Sequence, residues 1–112
     1  MLVADAAAHY LAEVSRVLKP GGRCLVTWFL IDAEADRRIR SGASPTRFDH
    51  VLLGCRVVDA GVPESAVAYR EEDARRMYAA AGLEVADPIR WGGWSGRNDR
   101  LSSQDIVVAF RR

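Results

Sequence analysis

Four side chains stand where a binding or reacting group is expected. His50 lies in an irregular stretch, where an imidazole can act as a general base near neutral pH. Tyr69, just ahead of a helical pattern, offers a phenolic hydroxyl to a substrate pocket. Trp94 and Arg97 share a glycine-rich loop, where a flat aromatic and a guanidinium can together grip an anionic or planar substrate. If that loop touches substrate, Trp94→Ala impairs turnover and leaves folding nearly intact. Each residue has a plainer reading: His50 as a surface or capping residue, Trp94 as a cover over the sheet end. Trp28 and Phe29 read as core residues on opposite faces of one strand. His9 reads as solvated and pairs with Glu13, and Gln104 with Asp105 anchors the start of the last strand. No catalytic residue is singled out. Cys24 and Cys55 lack metal-ligand spacing, so no metal site is expected.

The elements that must position these groups follow from periodicity. Ala7, Tyr10, Leu11, Val14, Val17 and Leu18 form one apolar stripe, which predicts a helix over 6–18 capped by Asp5 and stopped by Pro20-Gly21-Gly22. The run 24–31, opened by Cys24 and closed by Ile31, is apolar on both faces and predicts a strand covered on both sides. Asp32 is placed to cap a short helix that ends at Ser41-Gly42. Residues 48–58, interrupted by Gly54, read as a hairpin or irregular lid. A turn is expected at Pro63-Glu64, with a brief extended stretch from Val67 to Tyr69.

A second helix is predicted over 71–81, with Gly82 just past its end and ion pairs Glu71–Arg75 and Glu72–Arg76 on its outer face. Leu83, Val85, Ile89 and Trp91 alternate with more polar positions as a half-buried strand. Pro88 consigns that strand to a sheet edge or a bulge. A polar loop over 92–103 then precedes an all-apolar strand over 106–110.

Composition bounds the function. The 112 residues, 49% apolar and 28% charged, fit one globular domain, and the order of helices and strands above makes it α/β. A net charge of +1, with both signs scattered, gives no footprint for nucleic acid or an anionic membrane, although all but one of the basic residues are arginines. No apolar run approaches the roughly 20 residues of a membrane-spanning helix. The N-terminal residues carry no secretory pattern, so a cytoplasmic location is expected.

Two stretches carry a family resemblance. Tyr10 through Leu18-Lys19-Pro20-Gly21-Gly22-Arg23, with the strand after it, resembles the segment leading into the fifth strand of class I S-adenosylmethionine-dependent methyltransferases. Ala80-Ala81-Gly82-Leu83-Glu84-Val85 is similar to the junction between that family's last helix and its sixth strand. The resemblance covers nearly the whole chain. It implies a truncated Rossmann-like fold with a mixed sheet, whose closing strand inserts antiparallel between the fifth and sixth. It also implies methyl transfer from S-adenosylmethionine to a small-molecule acceptor.

The cofactor-binding features of the family are missing from the sequence. Gly92-Gly93-Trp94-Ser95-Gly96 has the wrong spacing for a glycine-rich cofactor turn and precedes no helix, and Gly21-Gly22 follows a helix rather than a strand. The resemblance therefore implies the C-terminal part of a methyltransferase domain, with Met1-Leu2-Val3 an internal start. On this reading no cofactor-binding residue is present. The chain by itself does not bind S-adenosylmethionine, and it is active only with an N-terminal half. A ligand of such a sheet is expected beyond the carboxyl end of the first strand, over the 32–62 segment and part of the 92–103 loop.

The alternative is a catalytically inactive, self-associating structural or binding module. In either case the first strand, from Cys24 to Ile31, lacks its family neighbour and is expected to pair with a second copy or with a separately encoded N-terminal half.

Overall fold

The computed structural model describes residues 2–52, 55–58, 61, 66–97 and 103–112. Helix α1 (Leu2–Val17) leads through Pro20-Gly21-Gly22 into strand β1 (Arg23–Ile31). Gly21 has φ +81°, and a Cβ on Gly22 would stand 2.8 Å from the Lys19 carbonyl oxygen, so the turn requires glycine. The turn is stitched to the chain's end: Gly21 N–H donates to the Arg111 carbonyl at 2.8 Å, and Arg111 N–H donates to that of Gly22 at 2.9 Å.

Next come helix α2 (Ala33–Ser41), strands β2 (His50–Leu52), β3 (Cys55–Val57) and β4 (Val67–Arg70), helix α3 (Glu71–Ala80), and strands β5 (Leu83–Arg90) and β6 (Asp105–Arg111). Asp32 caps α2 by accepting the Ala35 N–H at 2.9 Å, and Gly42 closes it at φ +80°. The strands form one mixed sheet in the order β2-β3-β4-β1-β6-β5. Strands β1 and β4 run parallel, and the other neighbouring pairs are antiparallel.

Much of the expected order is present. The hairpin is β2 with β3, and β6 inserts antiparallel between β1 and β5. Strand β5 lies at the sheet edge and its register shifts between Ala86 and Arg90, so Pro88 has both of the placements expected of it. Gly54, the turn at Pro63-Glu64 and the 98–102 part of the loop lie outside the described residues.

Several expectations need correction. Helix α1 begins at Leu2, so Asp5 lies inside it and is not its cap; the alanine-rich start favours helix from the outset. Tyr10 and Val17 are 55% and 68% exposed, because the apolar stripe is wider than the sheet surface that covers it. Strand β1 is covered on both faces only in its second half, and Leu25 is 63% exposed. Nor is its edge open throughout. β4 pairs with Phe29, Leu30 and Ile31, leaving the stretch before them without a strand on that side among the described residues. On the outer face of α3, Arg76 turns to Asp73 and Glu72 faces Arg70, while the Glu71–Arg75 pair forms as expected at 2.9 Å. Glu13 pairs with Arg16 at 3.0 Å.

The sheet separates two cores. On one face Trp28 and Leu30 pack with Leu11 of α1 and Ala74 and Tyr78 of α3. On the other, Phe29 and Ile31 pack with Ala35 and Ile39 of α2, Phe48 and Trp94. Adjacent residues of β1 thus serve opposite cores, as the pleat of a strand requires.

Candidate functional site at the carboxyl ends of β1 and β4

Strands β1 and β4 are parallel neighbours, and the helices that follow them leave on opposite faces of the sheet, α2 toward Phe29 and α3 toward Trp28. Such a divergence opens a crevice beyond the carboxyl ends of the two strands, the usual ligand position in open α/β sheets. A cleft of about 700 Å³ occupies that place, lined among others by Ile31, Asp32, Arg40, Arg56, Arg70 and Glu71. Both helices begin at its rim, and the acids of their first turns suit the helix dipoles.

The charges lining the cleft are internally compensated. Arg40 Nε meets Asp36 at 2.9 Å, Arg70 Nε meets Asp73 at 3.2 Å and Glu72 at 3.4 Å, and Glu71 accepts Arg75 at 2.9 Å. Arg56, from the hairpin, lines the cleft and donates to the Phe48 carbonyl at 3.0 Å. These groups provide hydrogen-bond donors and acceptors of both signs, suited to a polar small molecule.

A buried carboxylate supports the site from behind. Asp105, with no solvent exposure, accepts Leu30 N–H at 2.6 Å, Gly92 N–H at 2.6 Å and Trp94 Nε1–H at 2.9 Å. Burial raises its carboxyl above the ordinary range, opposed by the donors of Gly92, Leu30 and Trp94 and by the nearby Arg97. The carboxylate thereby ties the end of β1 to the start of β6 and to the loop after β5. A Cβ on Gly92 would stand 2.4 Å from Gln104 backbone atoms, so only glycine permits this close approach. Arg97 then reaches from the loop over the Trp91 ring, 4.5 Å from its centroid, to Asp32 and to Glu34. Asp32 thus has three tasks: it caps α2, holds Arg97 and lines the cleft.

The four residues singled out in the sequence do not converge. Trp94 is 4% exposed and packs edge-on against Phe29 and Phe48, with centroids 5.9 and 5.2 Å away, so its ring belongs to the core. Tyr69 is buried on the opposite face, its ring edge-on to Trp28 at 5.4 Å. Burial pushes its phenol up to about 12, which removes it as a base at neutral pH. His50 is exposed on β2, opposite Val57 and outside the cleft lining. Arg97 alone reaches the cleft, through Asp32. Asp32, Asp36, Arg40 and Arg56 fall within the 32–62 segment where a ligand is expected, whereas Arg70, Glu71 and Glu72 come from β4 and α3. Both cysteines are free, and burial raises both thiols above their ordinary range. Among the described residues no group of three acidic, histidine or cysteine side chains is placed to hold a metal ion. No helix among them is long and apolar enough to cross a membrane.

No protein-family model matches the chain. No solved structure matches it significantly.

Proposed function

We propose that this chain supplies the C-terminal half of an S-adenosylmethionine-dependent methyltransferase domain and the acceptor side of its active site. One observation carries the reading. A strand entered through Leu18-Lys19-Pro20-Gly21-Gly22 is flanked antiparallel by the chain's last strand, which in turn pairs antiparallel with a Pro-containing edge strand. This is the order the resemblance implies for the fifth, seventh and sixth strands.

The sulfonium of the methyl donor is already activated, so the protein's task is to hold donor and acceptor in line. The cleft beyond β1 and β4 suits the acceptor. Its arginines and carboxylates orient a polar small molecule, and the Asp105 scaffold fixes the backbone at its floor. The donor requires a glycine-rich turn and a ribose-binding acid, which this sequence lacks, so the fit to S-adenosylmethionine is incomplete and no step through it is assigned to these residues.

The coding sequence that precedes Met1 tests the reading. Translated in all frames, it is expected to contain a strand followed by a glycine-rich turn and, after the next strand, an acidic residue. Its absence in every frame would overturn the proposal and favour a non-catalytic module.

A further inference from the structure

We infer that the open part of β1 is a homodimerisation edge, paired antiparallel with the same strand of a second copy about a two-fold axis centred near Leu25. This inference concerns the chain by itself and does not depend on the methyltransferase reading, in which a strand of the N-terminal half would take the same edge in place of the second copy. Pairing with β4 begins at Phe29, in parallel register with Ala68, so Arg23 through Thr27 present one row of backbone donors and acceptors with no strand beside them among the described residues. Those groups border a cleft of about 560 Å³ lined by Ala6, Ala7 and Tyr10 of α1, by residues 25–28 of β1 and by Tyr69.

Three features select a strand, and specifically this strand, as the occupant. First, the edge is not blunted. The outer strand β5 carries Pro88 among charged residues, and β2 is three residues long, but β1 from Cys24 to Thr27 has neither charge nor proline. Second, the open stretch is self-complementary. Turned antiparallel about Leu25, Cys24 meets Val26 and Arg23 meets Thr27, so no like charges face each other. The pairing ends at Thr27, two positions before Phe29, where pairing with β4 begins.

Third, the apolar surface flanking the edge is exposed on both faces. Tyr10 lies on the α1 side, and Leu25 lies on the side of Phe29, four residues away along the strand and so on the same face. A two-fold axis perpendicular to the sheet keeps like faces together. It brings Leu25 against Leu25 of the partner subunit and Tyr10 toward the partner's Tyr10, so one operation covers both faces and satisfies the edge.

Sedimentation equilibrium on the whole chain tests this, with Leu25→Glu and Val51→Glu as variants. Leu25 and Val51 are both largely exposed, so both variants are expected to keep the wild-type circular dichroism spectrum. The wild type is expected to be a dimer at 10 μM. Leu25→Glu sets two carboxylates on the axis and is expected to weaken dimerisation at least 100-fold. Val51→Glu, on the distant outer strand β2, is expected to leave it unchanged. Amide exchange at Cys24 through Thr27 should slow as protein concentration rises. A wild-type monomer at 100 μM, or a dimer unaffected by Leu25→Glu, overturns the inference. So does a dimer lost in Val51→Glu and retained in Leu25→Glu.

Discussion

Asp105→Ala is expected to remove roughly 3–9 kcal/mol of stability, a large share of the about 5–15 kcal/mol usual for a folded domain. The carboxylate is wholly buried and accepts from two backbone amides and the Trp94 indole. Alanine leaves three buried donors without acceptors, each costing about 1–3 kcal/mol. Asparagine divides this loss in an informative way. The Oδ2 atom takes Leu30 and Trp94 and the Oδ1 atom takes Gly92, so an asparagine oxygen can retain the first pair while its amide opposes the Gly92 N–H. Asp105→Asn is therefore expected to cost about 1–3 kcal/mol, less than alanine. Urea denaturation followed by far-ultraviolet circular dichroism checks the order. An alanine variant within 1 kcal/mol of wild type would show that Asp105 does not hold the β1–β6 junction.

Trp94→Ala is expected to cost about 3–5 kcal/mol, the usual range for removing a large aromatic from a packed core. This reverses the effect expected from the sequence, impaired turnover in a nearly intact fold. Trp94 closes an aromatic triangle with Phe29 and Phe48, and the second core has few other large side chains. Because Trp94 also donates to Asp105, its loss and that of Asp105 should not add. A double-mutant cycle between Trp94→Phe and Asp105→Ala, each of which removes the bond between the two side chains, should show a coupling energy of about 0.5–3 kcal/mol. A Trp94→Ala protein with an unchanged urea midpoint would return the ring to the surface and to the list of substrate contacts.

The sequence reveals the elements more clearly than their use. The first helix, the Gly21-Gly22 turn, the Asp32 cap, the 48–58 hairpin and the antiparallel β6 are readable because each depends on local chemistry: a periodic stripe, a positive φ, a side-chain acceptor, alternating residues. Val67 to Tyr69 also reads as extended, but nothing local in a four-residue strand states that it runs parallel to β1. That one long-range pairing creates the cleft and brings in Arg70 and Glu71. The same pairing shortens the open edge. Trp94 and Tyr69 read as site residues because aromatic and phenolic groups suit both substrates and cores, and only packing decides between the two. Asp105 was legible as an anchor by its place at a strand start. Its complete burial beneath Trp94 depends on the path of the loop after β5, for which Gly92 is the sole local sign.

If these residues form the proposed acceptor half of a methyltransferase, the donor site lies in another part of the domain. Calorimetric titration with S-adenosylmethionine tests it most directly, performed on this chain alone and on the chain joined to the segment encoded before Met1. The account predicts micromolar binding by the joined protein and no measurable binding by the chain alone. Micromolar binding by the chain alone, or none by the joined protein, would contradict it.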